Sequence, residues 1–320
     1  MSIAICVLMY SFTTVMLAPR LLVRLTRTGA APRLGLIAWL SAIGSVAFSW
    51  LIAASILVVD VFRDWTAPTR LMFDSCITQL HDATTGQYGS AVQVSLFALA
   101  GFTAAAAAVA FARLGGSLLR ARRATHTHAR MARLAGRHDP ELDAVVLDLS
   151  EAAAYCVAGK PNTVVVTRGV LEALDDRHLG AVLAHERAHL AGRHHLLLAI
   201  SRGLATAFPR VQLFSGGGIE VARLVEMRAD DDASGVHGRL TVQEALLALS
   251  EHAQSPAATL PVVGDGLATR VERLARPIEQ PVRTRTRILL VAMTVLILIG
   301  PLISTTVAVI GVAACLPIAL

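Results

Sequence analysis

Two histidines and a glutamate stand in an HExxH motif at residues 185–189, a spacing that suits metal-assisted hydrolysis. On a helix, side chains four positions apart lie about 40° apart around the axis, so His185 and His189 project from one face. Two imidazole nitrogens on one face can bind one zinc ion, and the adjacent Glu186 can take a proton from zinc-bound water. The motif therefore predicts a hydrolase with one zinc ion per chain and Glu186 as its general base.

A third ligand must come from elsewhere, because a catalytic zinc site has three protein ligands and one open position. The candidates lie on or near a later predicted helix: Glu220, Glu226, Asp230, Asp231, Asp232 and His237. Glu226 and Asp230 are four positions apart, so they share a helix face. One of them can bind the metal while the other accepts the Nδ1–H of a ligand histidine. We expect Glu226 to be the metal ligand.

The residues around the motif show the periodicity of a helix-rich domain. Asp175 or Asp176 can cap the helix that carries the motif. Strands are predicted at Ala144–Leu149 and Thr163–Thr167. Helical patterns follow at 169–174, 176–191, 194–208, 218–233, 241–252 and 266–275. We expect a small α+β domain, dominated by helices, over residues 115–287.

The composition indicates a membrane protein. Hydrophobic residues make up 54% of the chain and charged residues 16%, whereas a soluble domain carries about 25% charged residues. A membrane helix needs about 20 apolar residues, and four stretches are candidates: Ser2–Leu17, Leu34–Val61, Ala91–Leu114 and Ile288–Ala314. We therefore expect a mainly α chain. Its predicted parts are three membrane helices over 1–114, the domain inserted at 115–287, and a fourth helix with a short tail over 288–320.

The net charge of +6 comes from arginines, since Lys160 is the only lysine. These arginines lie beside the apolar stretches, which is typical of membrane topology rather than of nucleic-acid binding. They cluster between the first two stretches, after the third and before the fourth, so the positive-inside rule makes these segments cytoplasmic. We expect both termini and the 62–90 loop to lie outside the cytoplasm, with the 115–287 domain inside it.

The cysteines are scattered and form no CxxC pair: Cys6, Cys76, Cys156 and Cys315. We expect them to be small apolar side chains rather than a metal site. Oxidation of Cys76 is the alternative if its loop faces outward.

The HExxH motif followed by Glu226-Met-Arg-Ala-Asp230, an ExxAD pattern, resembles the gluzincin-type membrane peptidases. Three apolar stretches before the motif and one after it resemble the BlaR/MecR-type antirepressor peptidases, whereas two membrane helices precede the motif in HtpX-type peptidases. The resemblance covers roughly residues 1–315. It implies a multi-pass protein of the bacterial inner membrane, with zinc bound by His185, His189 and Glu226. It also implies that Asp230 orients a ligand histidine.

At other positions the resemblance leaves two assignments open or the chain departs from the family's pattern. The family's arginine near the end of the domain corresponds to Arg270 or Arg273. Where the family usually has an acid after the motif, this chain has His194 and His195. Either histidine is a candidate for stabilising the oxyanion, and a surface or lipid-facing position is the alternative.

In such peptidases, an edge strand beside the active-site helix pairs with extended substrate. The corresponding strand here comprises Thr163, Val164, Val165, Val166 and Thr167. Its pattern is equally compatible with an ordinary interior strand.

Sensors of the BlaR/MecR type also carry an extracellular penicillin-binding domain with an acylated serine in an SxxK motif. Val157 stands three positions before Lys160, so this motif is absent, and the sequence ends at Leu320. We expect no penicillin-binding sensor domain. A signal would then arrive through the 62–90 loop, the membrane helices or another protein.

The leading hypothesis is a zinc endopeptidase that cleaves a BlaI/MecI-type transcriptional repressor in signal-dependent gene regulation. Its expected partners are that protein substrate and the lipid bilayer, with no direct binding of nucleic acid. One alternative is an HtpX-like quality-control peptidase, and another is a non-catalytic signalling pseudoprotease. The intact Glu186 argues against the pseudoprotease. A channel is disfavoured because no Lys, Arg, Asp or Glu lies at the centre of a predicted membrane helix, and no broken segment would line a pathway.

Overall fold

Long apolar runs near both ends of the sequence form long helices. The computed structural model describes residues 3–66, 90–252, 261–276 and 278–314. The long helices are α1 (Ile3–Thr26), α2 (Pro32–Thr66), α3 (Ser90–Ala135) and α10 (Gln280–Ala314).

Within the described residues, three segments are long and apolar enough to cross a membrane: Cys6–Thr26, Pro32–Ile56 and Gln280–Thr306. They overlap the first, second and fourth predicted membrane helices. The third prediction, 91–114, lies within α3, but most side chains of 91–110 fall outside the described part of the chain. Residues 67–89, which form most of the predicted outer loop, also fall outside it. The four-span topology therefore stays a prediction.

Between α3 and α10 the chain forms strands first and then shorter helices. The strands are β1 (Arg137–Asp139), β2 (Ala144–Leu147), β3 (Ala154–Val157) and β4 (Thr163–Thr167). The helices are α4 (Arg168–Ala173), α5 (Asp176–Ala191), α6 (His194–Ala207), α7 (Gln212–His237), α8 (Arg239–His252) and α9 (Pro261–Ala275). The predicted helices and two predicted strands are found in these places, whereas β1 and β3 were not predicted.

The four strands form one sheet with the order β1-β2-β4-β3. β2 runs parallel to β4, and β3 is antiparallel to β4. Because side chains alternate across a strand, Val165 packs towards α3, and Val164 and Val166 pack towards α5. This second face buries Leu179 and Val182 of α5 and so fixes the helix that carries the HExxH motif.

The sheet order corrects one expectation. β4, residues Thr163–Thr167, is an interior strand with neighbours on both sides, so the structure favours the interior-strand alternative over an edge that pairs with substrate. All five of its residues are buried, which is the physical reason for its run of valines. Among the described strands, β3 lies at the edge next to α5.

The three candidate membrane helices, α1, α2 and α10, share their core with α7. Phe214 and Leu224 of α7 are fully buried in one cluster with Trp39 of α2 and Leu290 of α10. Further along, α7 packs against α5 and α8. A single helix, α7, therefore connects the candidate membrane helices with the region of the HExxH motif.

A tight turn between α1 and α2 also contacts α7 and α9. Gly29 has a φ of +63°, and a Cβ there would come within 2.6 Å of Met227 Sδ. Arg273 donates a hydrogen bond to the Gly29 carbonyl at 2.9 Å, and Arg223 donates one to the Thr26 carbonyl at 2.9 Å. Two arginines thus hold the turn against the helix that carries Glu226.

A proline inside α10 is compensated by a tyrosine of α1. Pro301 has no N–H, so the carbonyl four residues earlier, that of Ile297, lacks its helical partner. Tyr10 Oη donates to this carbonyl at 2.6 Å and lies 2.9 Å from Ser45 Oγ. This contact joins α1, α2 and α10 and gives the Ile297 carbonyl the partner that the proline removes.

Candidate metal centre

A capping residue determines where α5, the helix with the HExxH motif, begins, and an apolar face determines how it packs. Asp175 is the N-cap, and its carboxylate accepts a hydrogen bond from the His178 N–H at 2.8 Å. Leu179 and Val182 bury one face against the sheet. The polar residues of the motif lie on the other faces of α5, which are turned towards α7 and β3.

Three donor groups converge between α5 and α7. Nε2 of His185 and Nε2 of His189 lie 3.1 Å apart. Glu226 places Oε2 at 3.5 Å from the first nitrogen and Oε1 at 3.7 Å from the second. One donor atom from each residue lies within 4.8 Å of the others.

This donor set fits a zinc ion. Zinc–nitrogen bonds of 2.0–2.1 Å at tetrahedral angles place two ligand nitrogens about 3.3 Å apart. Two imidazole nitrogens that face each other at 3.1 Å need either a shared proton or a metal between them. The group His185, His189 and Glu226 can therefore hold a metal ion, as the sequence predicts.

The other candidates for the third metal ligand lie away from the two motif histidines. Glu220 pairs with Arg223 at 2.7 Å, and Asp232 pairs with Arg228 at 2.8 Å. Asp231 pairs with Arg273 at 2.6 Å. His237 packs against Gly180, near the start of α5. None of these four belongs to the group of donors around His185.

Asp230 supports His185 from behind. Its side chain is fully buried, and Oδ1 lies 3.1 Å from His185 Nδ1. Arg270 binds this carboxylate with two hydrogen bonds, from Nε at 2.8 Å and Nη2 at 2.7 Å. Asp230 thus lies where an orienting carboxylate is expected.

Arg270, rather than Arg273, reaches the site. Besides Asp230, it contacts Glu226 Oε2 through Nη1 at 3.1 Å. Arg273 lies one turn further along α9 and contacts Asp231 and Gly29 instead. The two positions that the sequence left open therefore have different neighbours.

His194 contacts a predicted ligand. Its Nδ1 lies 3.0 Å from Nδ1 of His189, and its ring is buried. The turn before it has Arg193 at a φ of +48° and Gly192, where a Cβ would collide with the His194 ring. This geometry places His194 behind His189 rather than over the open side of the site.

His195 does not join the site. It lines a groove between α3 and α6 together with Arg113 and Arg202. This position agrees with the surface or lipid-facing alternative for this residue. Its predicted role at the oxyanion gains no support from its placement.

Burial and charge set the protonation of the two motif histidines in opposite directions. Burial lowers the pKa of His185, but the Asp230 and Glu226 carboxylates outweigh it and raise that pKa to about 9. Burial lowers the pKa of His189 to about 4, because Glu226 compensates only in part. Without metal, a proton on His185 therefore faces an unprotonated His189.

The acidic groups also differ. Burial opposes ionisation of Glu226 and Asp230, yet His185 and Arg270 hold the pKa of each carboxyl at about 2. Burial raises the pKa of Glu186, and His185 offsets this only in part. The Glu186 carboxylate therefore accepts a proton more readily than an ordinary glutamate, whereas Glu226 stays ionised.

Sequence reasoning missed Cys156 as a neighbour of the site. It lies on β3, pairs with Val164, and interacts with Glu186. Burial and the Glu186 charge raise the pKa of its thiol, so it stays protonated and can donate to the carboxylate. Only the pairing of β3 with β4 reveals this contact, because the two residues are thirty positions apart.

A cavity of about 180 Å³ opens beside the donor group. Glu186, Glu226 and Arg270 form its polar side. The opposite wall is apolar and comes largely from α8, with Val242, Ala245, Leu246 and Leu249. An apolar side chain next to a polar reacting group would fit this space.

The chain is similar to known peptidases over part of its length. Residues 118–250 match the model of peptidase family M48. A protease HtpX homolog of Aquifex aeolicus (strain VF5) is 38% identical over 77 residues, which are 24% of this chain and 26% of the relative. The chain thus matches about a quarter of that relative. No solved structure matches the chain.

The family match includes both motif histidines, Glu186, Glu226 and Asp230, and it ends before Arg270. Together with the converging donors and the apolar helices, it supports a membrane metallopeptidase. Residues 118–250 are similar to peptidase family M48, and the candidate metal centre lies within them.

Proposed function

We propose that this chain is a membrane-embedded zinc endopeptidase that acts at the cytoplasmic face. The observation that carries the proposal is the convergence of His185, His189 and Glu226, with donor atoms within 4.8 Å of one another. Glu186 lies beside them at an apolar cavity. The arginines that flank the predicted spans support the cytoplasmic orientation of the domain.

When bound by these three residues, zinc would polarise the scissile carbonyl and lower the pKa of water. Glu186 is placed to accept the proton from the attacking water and to deliver it to the leaving amine. Its raised pKa helps it to hold that proton between the two events. Asp230 and His194 orient the two histidines from opposite sides, and Arg270 keeps Glu226 and Asp230 in position.

The edge strand β3 is the best candidate for binding extended substrate. Thr167 N donates to the Ala153 carbonyl at 3.0 Å. Because hydrogen-bonding direction alternates in an antiparallel pair, the backbone groups of Tyr155 and Val157 face β4, whereas those of Ala154 and Cys156 point away from β4. On that side the Cys156 backbone contacts the Glu186 carboxylate. A peptide paired there would lie next to Glu186. This assignment replaces Thr163–Thr167, whose backbone already has partners on both sides.

Two substrate classes remain. The arrangement of predicted membrane helices favours a BlaI/MecI-type repressor, and the similarity to a protease HtpX homolog favours damaged membrane proteins. The apolar wall of the cavity favours an apolar substrate side chain beside the cleaved bond in either case. A purified protein offered both classes, with peptide products sequenced, would separate them.

The catalytic proposal is tested by comparing the wild type with Glu186→Gln in the full-length protein. We expect equal zinc content and a cleavage rate lower by about 10²–10⁴-fold. Glu272→Gln is the matched control, since this exposed glutamate (71% of its side chain) lies outside the site. Cleavage by Glu186→Gln at the wild-type rate would refute the role of Glu186. Absence of zinc from a folded wild type would refute the metal centre.

A further inference from the structure

A second cavity lies between α3 and α6. It has a volume of about 1120 Å³ and is lined by residues 109–121 of α3 and 195–208 of the α6 region. Its floor is largely apolar and includes Leu114, Leu198 and Phe208. We refer to it as the α3–α6 groove. It uses a different face of α6 from the one on which His194 contacts His189.

The rim of the α3–α6 groove carries three arginines, Arg113, Arg120 and Arg202, and none of its described lining residues is acidic. Over the described residues, none of these three guanidinium groups forms an ion pair with a carboxylate. Partial burial and Arg193 lower the pKa of His195, so its ring adds hydrogen-bonding capacity rather than charge. The groove therefore combines an apolar floor with three arginines that have no carboxylate partner in the described part of the chain.

The α3–α6 groove lies next to the predicted end of a membrane helix. Its α3 wall begins at the end of the predicted third membrane helix, 91–114. Leu114, Leu198 and Phe208 also pack against the cluster that α1, α2, α7 and α10 share. On α6, Leu196 and Ile200 expose 43% and 39% of their surface. An apolar groove that continues from the membrane cluster to a row of arginines matches the boundary between acyl chains and phosphates.

We propose that the α3–α6 groove binds one anionic phospholipid, with an acyl chain on the apolar floor and the phosphate between Arg113, Arg120 and Arg202. Guanidinium groups bind phosphate oxygens with paired, charge-assisted hydrogen bonds. A zwitterionic lipid would bring a positive group to a rim without carboxylates, which favours an anionic headgroup. Docking of two copies through this face would place arginines against arginines, which disfavours self-association there.

The test uses the full-length protein in nanodiscs that contain phosphatidylcholine with a minor fraction of phosphatidylglycerol. After the protein is released from the nanodiscs in the mass spectrometer, the lipids that remain bound to it are counted by native mass spectrometry. The test variant is Arg120→Gln/Arg202→Gln, and the control is Arg122→Gln/Arg123→Gln. All four arginines are exposed, and the control pair lies outside the groove lining. Both variants lose the same charge, so only the location differs, and exposed substitutions of this kind rarely disturb folding.

We expect the wild type and the control to retain one phosphatidylglycerol and the test variant to lose at least about tenfold in retention, or roughly 1.4 kcal/mol. Equal losses in the two variants would attribute binding to general basic charge and overturn the proposal. Equal retention of phosphatidylcholine would also overturn it. If soluble glycerophosphoglycerol displaced the lipid completely, the groove would be a site for a free phosphate instead.

Cross-linking of the same samples tests whether the α3–α6 groove is instead a contact between two copies of the chain. A test variant that keeps its lipid but no longer forms cross-linked pairs would identify the α3–α6 groove as a contact between copies. Thermal denaturation and zinc content provide the folding control for each variant. The inference concerns lipid binding alone, so it stands or falls independently of the peptidase activity.

Discussion

Nδ1 of His194 lies 3.0 Å from Nδ1 of His189, so a third histidine holds one of the two histidines of the HExxH motif. Burial lowers the pKa of His194, which keeps its ring neutral near pH 7 and its Nδ1 able to accept. A metal on Nε2 of His189 would leave Nδ1–H to donate towards His194. A neutral imidazole thus takes the place in which a carboxylate often supports a ligand histidine.

This contact predicts the effect of substitutions at His194. We expect His194→Ala to weaken zinc binding by about 10–100-fold, the usual effect of losing a partner of a ligand histidine. His194→Asp supplies another acceptor and should retain most of the affinity. The affinities are measured by competition with a fluorescent chelator. His195→Ala is the control, and an equal loss there would contradict the assignment.

Removal of Arg270 is expected to destabilise the domain. Asp230 has no exposed side-chain surface and Arg270 has 14%, so Arg270→Gln leaves a buried carboxylate without its cation. Loss of one member of a buried ion pair costs about 3–5 kcal/mol. We expect a melting temperature lower by several degrees in the metal-free protein, measured by differential scanning fluorimetry.

The control for that experiment is Arg276→Gln, whose side chain is 84% exposed and should have almost no effect. The double variant Asp230→Asn/Arg270→Gln should lose less stability than the sum of the two single variants, because Asp230→Asn removes the buried carboxylate that Arg270→Gln alone would leave without its two hydrogen bonds. Strictly additive losses would show that the pair does not interact.

Metal binding should depend on pH through His185. Without metal its pKa is about 9, above the ordinary value of about 6.5, so below pH 9 a zinc ion must displace a proton. The affinity for zinc should rise by about tenfold per pH unit between pH 6 and pH 8. The metal-free protein should lose stability as the pH rises from about 6.5 to about 9.

Both effects can be measured. Calorimetry in buffers of different ionisation enthalpy reports the number of protons released per zinc ion, and we expect about one at pH 7. Release of no proton at this pH would mean that His185 is already neutral. Denaturation curves of the metal-free protein at several pH values test the second effect.

Proline substitutions distinguish the edge strand from the interior strand. In Ala154→Pro the lost N–H faces the free edge of β3, so the fold and zinc content should be retained. Cleavage of extended peptides should fall by about tenfold through the loss of one substrate hydrogen bond. In Val165→Pro the interior strand loses a ladder bond, so soluble folded protein should decrease. Wild-type cleavage by a folded Ala154→Pro protein would exclude pairing at this edge.

Local patterns in the sequence predicted the donors and their helices. His185 and His189, like Glu226 and Asp230, are four positions apart, and helical geometry alone brings each pair to one face. The aspartates at 175 and 176 also indicated the start of this helix, and the structure identifies Asp175 as the cap. The apolar runs likewise predicted the helices that the structure describes as long enough to cross a membrane.

What sequence reasoning could not provide depends on contacts between distant segments. The order of the strands follows from packing on α3 and α5, so the short β3 and its edge position were missed. The choice between Arg270 and Arg273 depends on the rotation of α9 against α7. The contact of His194 depends on a left-handed residue at Arg193, which the sequence pattern does not reveal.

The path of α7 has a practical consequence for any attempt to study the catalytic part alone. A fragment restricted to residues 115–287 would expose Phe214 and Leu224, which are now covered by α1, α2 and α10. It would also lack the turn at Gly29 that anchors Arg273. We expect such a truncated protein to aggregate or to lose the alignment of Glu226 with the two histidines, so enzymology on this molecule requires detergent or a bilayer from the start.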